Sequence, residues 1–307
     1  MNSKFIKNNI KLYLALKFIE MSKKVKSDNQ SLKIPKPILI SAKLLQAISS
    51  DLVTLFAARL FTTPFKHKIP KRELQMDKES KQQIIFVAAI KKEIVTYHYG
   101  KNSKKVLLVH GWSGRGTQLV KIADKLLEMG YSTVSFDAPA HGKSKGNSSI
   151  MTEFIAAIHE IDKQFGPFDY AVGHSLGGMS ILNALKQNLQ LKKAVIIGSG
   201  DIIKDIVEDF VEKLELKPLI AVKIQAHFEK KYGVPMNNYS AFEAAKKVEI
   251  PILVIHDEMD VEVPVKAAYH IHKHLQNGDL LLTKELGHRK ILGDIHVIES
   301  IENFIKN

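Results

Sequence analysis

A five-residue turn constrains this chain more than any other feature. Gly173-His174-Ser175-Leu176-Gly177 stands between an apolar strand pattern, Tyr170-Ala171-Val172, and a helical pattern that runs from Met179 to Leu185. A Gly-x-Ser-x-Gly turn between strand and helix holds a serine hydroxyl at a sharp, exposed bend, and its glycines remove Cβ atoms that would collide there. The helix that follows points its first N–H groups toward the serine. The turn therefore predicts a nucleophile. A serine hydroxyl is weak at neutral pH, so a base and an orienting acid must accompany it.

The chain supplies both in a recognisable order. Upstream, Lys105-Val106-Leu107-Leu108-Val109 reads as a buried strand and ends in His110-Gly111-Trp112. Downstream, Pro251-Ile252-Leu253-Val254-Ile255 is another such run, followed by His256-Asp257-Glu258-Met259-Asp260. Leu280 to Thr283 is a third, followed by Leu286-Gly287-His288. Three carboxylates, Asp257, Glu258 and Asp260, compete for the role of the acid.

The ordered motifs HGW, FDAPAHGKS, GHSLGG, IHDEMD and LGH make residues 80–307 resemble the α/β-hydrolase family, in its serine-nucleophile esterase and thioesterase branch. The resemblance implies Ser175 as nucleophile, His288 as general base and an acid that fixes the tautomer of His288. The family's register, a strand, a small residue, two variable residues and then Asp, selects Asp260, with Val263-Pro264 following. Asp257 stands where the family usually has Gly and is expected to be a loop or helix-capping carboxylate. The oxyanion donors implied are the main-chain N–H groups of Leu176, just after the nucleophile, and of Trp112. His110, His141 and His174 fall at motif positions with structural roles. Ala140 replaces a usual Gly. Dehalogenase- and epoxide-hydrolase-like members place Asp at the nucleophile position, where this chain has Ser175.

The implied fold is α/β: an α/β-hydrolase fold with a mostly parallel sheet and helices on both faces. The residues read the same way. Ile84–Ile90 and Glu93–Tyr99 pattern as an edge hairpin, after which strands alternate with helices of about 10–15 residues to the C-terminus. Residues 201–247 interrupt that rhythm with a charged helical pattern, where the family inserts a cap. Residues 1–75 are a helical N-terminal extension in two parts. In the first, Lys4, Lys7 and Lys11 share one face and apolar residues fill most of the rest; in the second, from Pro37 to Phe61, Ile40, Leu44, Leu45, Ile48, Leu52, Leu55 and Phe56 form a stripe.

Most of the net charge of +13 belongs to that extension. Residues 1–75 hold 15 Lys+Arg against 4 Asp+Glu, and the remainder holds 30 against 28. Basic patches without interleaved aromatics or a nucleic-acid motif give no reason to expect nucleic acid. Residues 1–26 are expected to lie on an anionic membrane or to pack on the body, and the second helix is expected to dock on the body. The segment lacks the unbroken apolar core and small-residue cleavage site of a signal peptide. No apolar run reaches the 18–20 or so residues that span a bilayer. The chain has no cysteine, which removes disulfides and thiolate metal sites and fits a reducing compartment. A cytoplasmic location is expected, peripheral on the inner face of the membrane where the extension holds it there. Arg115 reads as a solvated loop residue, or as a contact for an anionic substrate. His270, His272 and His274 read as a solvated face. Gly111–Gly116 lacks the Lys-Ser/Thr ending of a phosphate loop. No cofactor and no metal are expected.

The function expected is hydrolysis of a carboxylic ester or thioester of a small acyl substrate through an acyl-enzyme. The alternatives are C–C or amide cleavage by the same triad, and a non-catalytic binding protein of the same fold.

Overall fold

The computed structural model of the protein describes residues 34–307. The lysine-striped first segment lies outside the described residues. Two helices open the described chain, α1 (Lys36–Ile48) and α2 (Ser50–Phe61). The spacing predicts one helix here, but it divides at Ser49. That residue is extended (φ −159°, ψ 132°), and its Oγ accepts from the amides of Asp51 and Leu52, so a new helix starts.

The packing face also differs from expectation. Ile40, Leu44, Ile48, Leu52 and Leu55 are exposed, whereas α2 buries Val53, Thr54, Ala57 and Ala58. Small side chains let the backbone of α2 approach its neighbour closely. At its end, Phe61 packs its ring edge against Phe210 at 5.1 Å and beside Phe228 at 6.1 Å. The wider apolar stripe faces outward.

After α3 (Leu74–Glu79), strands β1 (Lys81–Val87) and β2 (Lys92–Tyr99) form an antiparallel hairpin at one sheet edge. The alternation then begins: β3 (Lys105–Val109), α4 (Val120–Glu128), β4 (Ser132–Asp137), α5 (Met151–Phe165), β5 (Tyr170–His174), α6 (Leu176–Lys186) and β6 (Lys193–Ile197). Between β6 and the next strand lie α7 (Ile203–Lys213), α8 (Leu219–Tyr232) and α9 (Ala241–Ala245). The sheet resumes with β7 (Ile252–Asp257), α10 (Lys266–His274) and β8 (Gly278–Thr283), and the chain ends in α11 (Gly287–Lys290) and α12 (Ile295–Lys306).

The eight strands of the described residues form one sheet in the order β1-β2-β4-β3-β5-β6-β7-β8, parallel from β4 to β8. Parallel strands covered on both faces read as unbroken apolar runs, and all six residues of β7 are buried. On one face Val106, Leu108, Val172, Ile197 and Leu253 pack against α4 and α12 through Leu126 and Ile301. The order of connections reverses at β3, which lies between β4 and β5. Open α/β sheets place ligands at the carboxyl ends of strands beside such a switch point. The HGW motif follows β3 and Ser175 follows β5, so the topology delivers both to that crevice.

Candidate active site

Ser175 caps α6 with φ 53° and ψ −118°, a conformation that L-residues rarely adopt. Strain of this kind persists only where neighbours over-determine it. Here the Ser175 amide donates to the Ile197 carbonyl at 2.8 Å, and the Ser175 carbonyl accepts from Gly178 at 3.0 Å. The side chain stays half-buried while its neighbours in β5 are fully buried.

The turn requires Gly177 for close approach. A Cβ there would lie 2.2 Å from the Val109 carbonyl oxygen, a backbone atom that cannot swing aside. Gly177→Ala is therefore expected to force α6 away from β3, costing about 1–3 kcal/mol and lowering activity with it. A thermal melt checks this, and an unchanged melting temperature would mean that the two elements can slide apart freely.

His288 and Asp260, 28 residues apart, meet: His288 Nδ1–H donates to Asp260 Oδ2 at 2.7 Å. Asp260 Oδ1 accepts from the amides of Glu262 and Val263 at 2.8 and 2.9 Å. Burial pushes the Asp260 carboxyl up, but the hydrogen bond and charge of His288, with these two amides, hold it below the ordinary carboxylate range. Both side chains are buried. Gly198, with φ 56°, ends β6 against this pair. A Cβ there would lie 3.2 Å from His288 Nδ1, so the turn needs both the left-handed backbone and the space.

His174 links the dyad to the elbow. Its Nε2–H donates to the His288 carbonyl at 2.9 Å, and the two rings lie 4.6 Å apart. The Trp112 loop closes on the same point, since a Cβ on Gly111 would lie 3.0 Å from Ser175 Cβ. Leu176 is the first residue of α6, where helical geometry leaves N–H groups without intrahelical acceptors. Among the described residues, neither the Leu176 nor the Trp112 N–H has a hydrogen-bond acceptor. The indole of Trp112 meets His141 edge-on at 5.1 Å. The structure thus joins His288 to Asp260 and sets His174, the residue before Ser175, against His288, while Gly111 brings the Trp112 loop to the elbow; Ser175 Oγ itself makes no hydrogen bond to His288. Two surface clefts of about 370 and 160 Å³ are lined by other residues and do not include Ser175.

Several side chains depart from the sequence reading. Asp257, expected as a loop or helix-capping carboxylate, is instead the last residue of β7 and is fully buried. Its Oδ2 accepts from Thr283 Oγ1 at 2.8 Å and from the Leu286 amide at 3.0 Å, and its Oδ1 accepts from Met259 at 3.0 Å. It therefore ties β7 to β8 and to the start of α11, which carries His288. Burial raises its carboxyl, and the Gly287 amide, Thr283 and the Leu286 and Met259 amides outweigh that and lower it. Arg115 is buried rather than solvated. It pairs with Glu73 at 3.3 Å and donates to the Lys68 and His67 carbonyls, fastening the basic connector to the body. His270 and His274 share a helix face, as their spacing predicts. That face packs on the Phe242 ring, and His270 Nδ1 lies 2.5 Å from Asp201 Oδ2.

His256 carries a role the sequence does not signal. It is fully buried in β7, donates from Nε2 to the Val263 carbonyl at 2.9 Å and sits 3.5 Å from Asp260 Oδ2. It braces the loop that presents Asp260. The only available cue is a polar residue ending an apolar run four positions before that acid.

Burial lowers the pKa of four histidines around this site: His110 and His174 far below the usual value, His141 to about 4, and His256. Their unfolded counterparts titrate near 6.5. Between those values the unfolded chain binds more protons, so stability is full above about pH 6.5 and falls as the pH drops toward each folded value. The expected loss is up to about 1.4 kcal/mol per pH unit for each such ring. Urea unfolding at pH 7, 6 and 5 measures it, and a flat profile would mean that these rings accept protons in the folded state.

Comparison with known proteins places this arrangement. A model described as the alpha/beta hydrolase family matches residues 106–269, and one described as TAP-like protein matches residues 232–307. No curated protein sequence matches the chain. Similar solved structures include a bromoperoxidase from Bacillus anthracis, 18% identical over 74% of this chain and 100% of that one, with a TM-score of 0.58. An esterase from Exiguobacterium antarcticum is 18% identical over 72% of this chain and 98% of its own, with a TM-score of 0.58. An esterase from Pyrococcus furiosus is 16% identical over 80% and 96%, with a TM-score of 0.60. At these identities the likeness is one of fold. The family model, however, matches more than half of the sequence, and the chain belongs to the alpha/beta hydrolase family.

Proposed function

We propose that this hydrolase cleaves a carboxylic ester or thioester through an acyl-enzyme formed on Ser175. The observation that carries the reading is the strained elbow at Ser175 together with the 2.7 Å bond from His288 Nδ1 to Asp260. With Nδ1–H committed to the carboxylate, Nε2 of His288 is left as the acceptor for the serine proton. Ser175 Oγ attacks the acyl carbon as that proton moves to His288. Asp260, held ionised, stabilises the imidazolium. The negative charge that develops on the carbonyl oxygen meets the N–H groups of Leu176 and Trp112, which have no competing acceptor among the described residues. The imidazolium then protonates the leaving alcohol or thiol. In the second half-reaction water repeats the attack, with His288 again as base, and frees Ser175.

A fluorophosphonate probe tests the nucleophile, and a panel of p-nitrophenyl esters, acyl-CoAs and aminoacyl amides tests the bond. Labelling of Ser175 with turnover of esters or thioesters is the expected result. Failure to label folded protein would favour a binding protein of this fold. Turnover of amides alone would move the reading to the amide-cleaving alternative.

A further inference from the structure

We propose that the outward face of α1, α2 and α8 docks on an anionic phospholipid bilayer, and that a basic cleft at its border receives lipid phosphate. The face begins with a stripe on α1, where Leu44 is 62% and Ile48 is 74% exposed. Leu52 and Leu55 continue it along α2. The helix α8 lies alongside. Gln46 Oε1 accepts from the Lys217 amide at 2.7 Å, and Lys223 Nζ donates to Ser50 and Asp51, both at 2.7 Å. These bonds hold residues 217–223 against the α1–α2 junction, so the exposed Leu219 and Val222 extend the same apolar surface. Large aliphatic groups gathered in one outward patch mark an interaction surface rather than ordinary scatter.

The charge at the border identifies the partner. A cleft of about 160 Å³ between α2, α8 and the start of α5 is lined by Leu55, Arg59, Ser149, His227, Lys231 and Tyr232. Leu55 and Tyr232 are also among the exposed apolar residues, so cleft and face are continuous. Neither Arg59 nor Lys231 has an acidic partner among the described residues. Ser149 is 1% exposed, and its Oγ has no hydrogen-bond partner. It precedes the 15-residue helix α5, whose first amides add a positive end to the cleft. Glu153 lines the cleft too: its Oε1 is paired with Lys92 at 2.5 Å, and its buried Oε2 has no hydrogen-bond partner, so Arg59 and Lys231 must outweigh one carboxylate oxygen there. Two cations without an acidic partner, one of them Lys231 lying 5.2 Å over the Tyr232 ring, an unused buried hydroxyl and a helix N-terminus suit a phosphate, and the aliphatic border suits acyl chains.

A second copy of the chain fits poorly, because it would set these cations against their own kind. The 13 and 12 residues of α1 and α2 are too short to span a bilayer, and no helix of the described residues is long and apolar enough to do so. The face therefore lies on the membrane. It is wired to the candidate active site, since four residues beyond α2 the Phe65 amide donates to Ser113 Oγ at 3.0 Å, beside Trp112.

The test is co-sedimentation of the full chain with phosphatidylcholine vesicles, with and without phosphatidylglycerol, at low and high salt. Wild type is expected to bind the anionic vesicles in a salt-sensitive way. Arg59→Gln with Lys231→Gln is expected to weaken partitioning about fivefold per cation. Leu44→Glu with Leu52→Glu is expected to weaken it about tenfold or more. Thermal melts establish that each variant is folded. Because the chain has no cysteine, Ile48→Cys carries a single environment-sensitive fluorophore in an otherwise intact protein, and its emission is expected to shift to the blue on anionic vesicles. The proposal is overturned by absence of wild-type binding, by binding that both double variants retain, by a label that does not respond, or by a dimer that the leucine variant dissociates.

Discussion

Ser175→Ala is expected to lower turnover by about 10³-fold or more while the protein keeps its fold. The substitution removes one oxygen from a half-buried position, and Cβ, which the elbow already accommodates, remains. The bonds that lock the elbow are main-chain bonds, from Ser175 to Ile197 and from Gly178 to Ser175, and alanine can make both. The strained φ of 53° is no easier for alanine than for serine, so the melting temperature should change little. Steady-state hydrolysis of a p-nitrophenyl ester alongside a thermal melt gives both readouts. Activity within about tenfold of wild type in a folded variant would mean that another group attacks the acyl carbon.

Asp260→Asn should be almost as damaging, and by a different route. The Glu262 and Val263 amides both donate to Oδ1, so the carbonyl oxygen of an asparagine is drawn to that side. Its NH₂ group then faces His288 Nδ1 in place of the carboxylate oxygen at 2.7 Å. A donor there forces the histidine into the tautomer with Nε2 protonated, which cannot accept the serine proton. The matching change in a triad on another fold costs about 10⁴-fold in turnover. Asp257→Asn provides the contrast. It replaces a buried carboxylate that accepts from Thr283, Leu286 and Met259, and one of those donors must lose its acceptor. The expected cost is stability, about 1–3 kcal/mol for a buried group left unsatisfied, with far less effect on turnover per folded molecule. Melting temperature and turnover should thus separate the two variants in opposite directions. If Asp257→Asn stops turnover and Asp260→Asn spares it, the roles of the two acids must be exchanged.

This contrast marks how far the sequence is legible. The register of the acid loop selects Asp260 from three carboxylates within four residues, and the geometry puts that residue against His288. The same register leaves Asp257 as a loop or helix-capping carboxylate, because position along the chain does not reveal that it ends β7 with its side chain turned inward. Arg115 is misread in the same way. Its partner Glu73 lies 42 residues away, and no local pattern joins them.

What the sequence determines by itself is local and periodic: the turn at Ser175, the apolar runs that become β3, β5, β7 and β8, and the order of Ser175, Asp260 and His288. Each is written in a few contiguous residues, where backbone sterics and side-chain periodicity act directly. Only the tertiary structure decides which groups face one another. His174 reaches the His288 carbonyl across 114 residues, and Gly198 yields the space that His288 occupies. The α1–α2 stripe illustrates the limit most clearly. Periodicity places Ile40, Leu44, Ile48, Leu52 and Leu55 on one side, yet the small side chains of Ala57 and Ala58 are the ones that meet the body. Close approach of two helices depends on how their surfaces fit, a property of the pair that neither helix encodes alone.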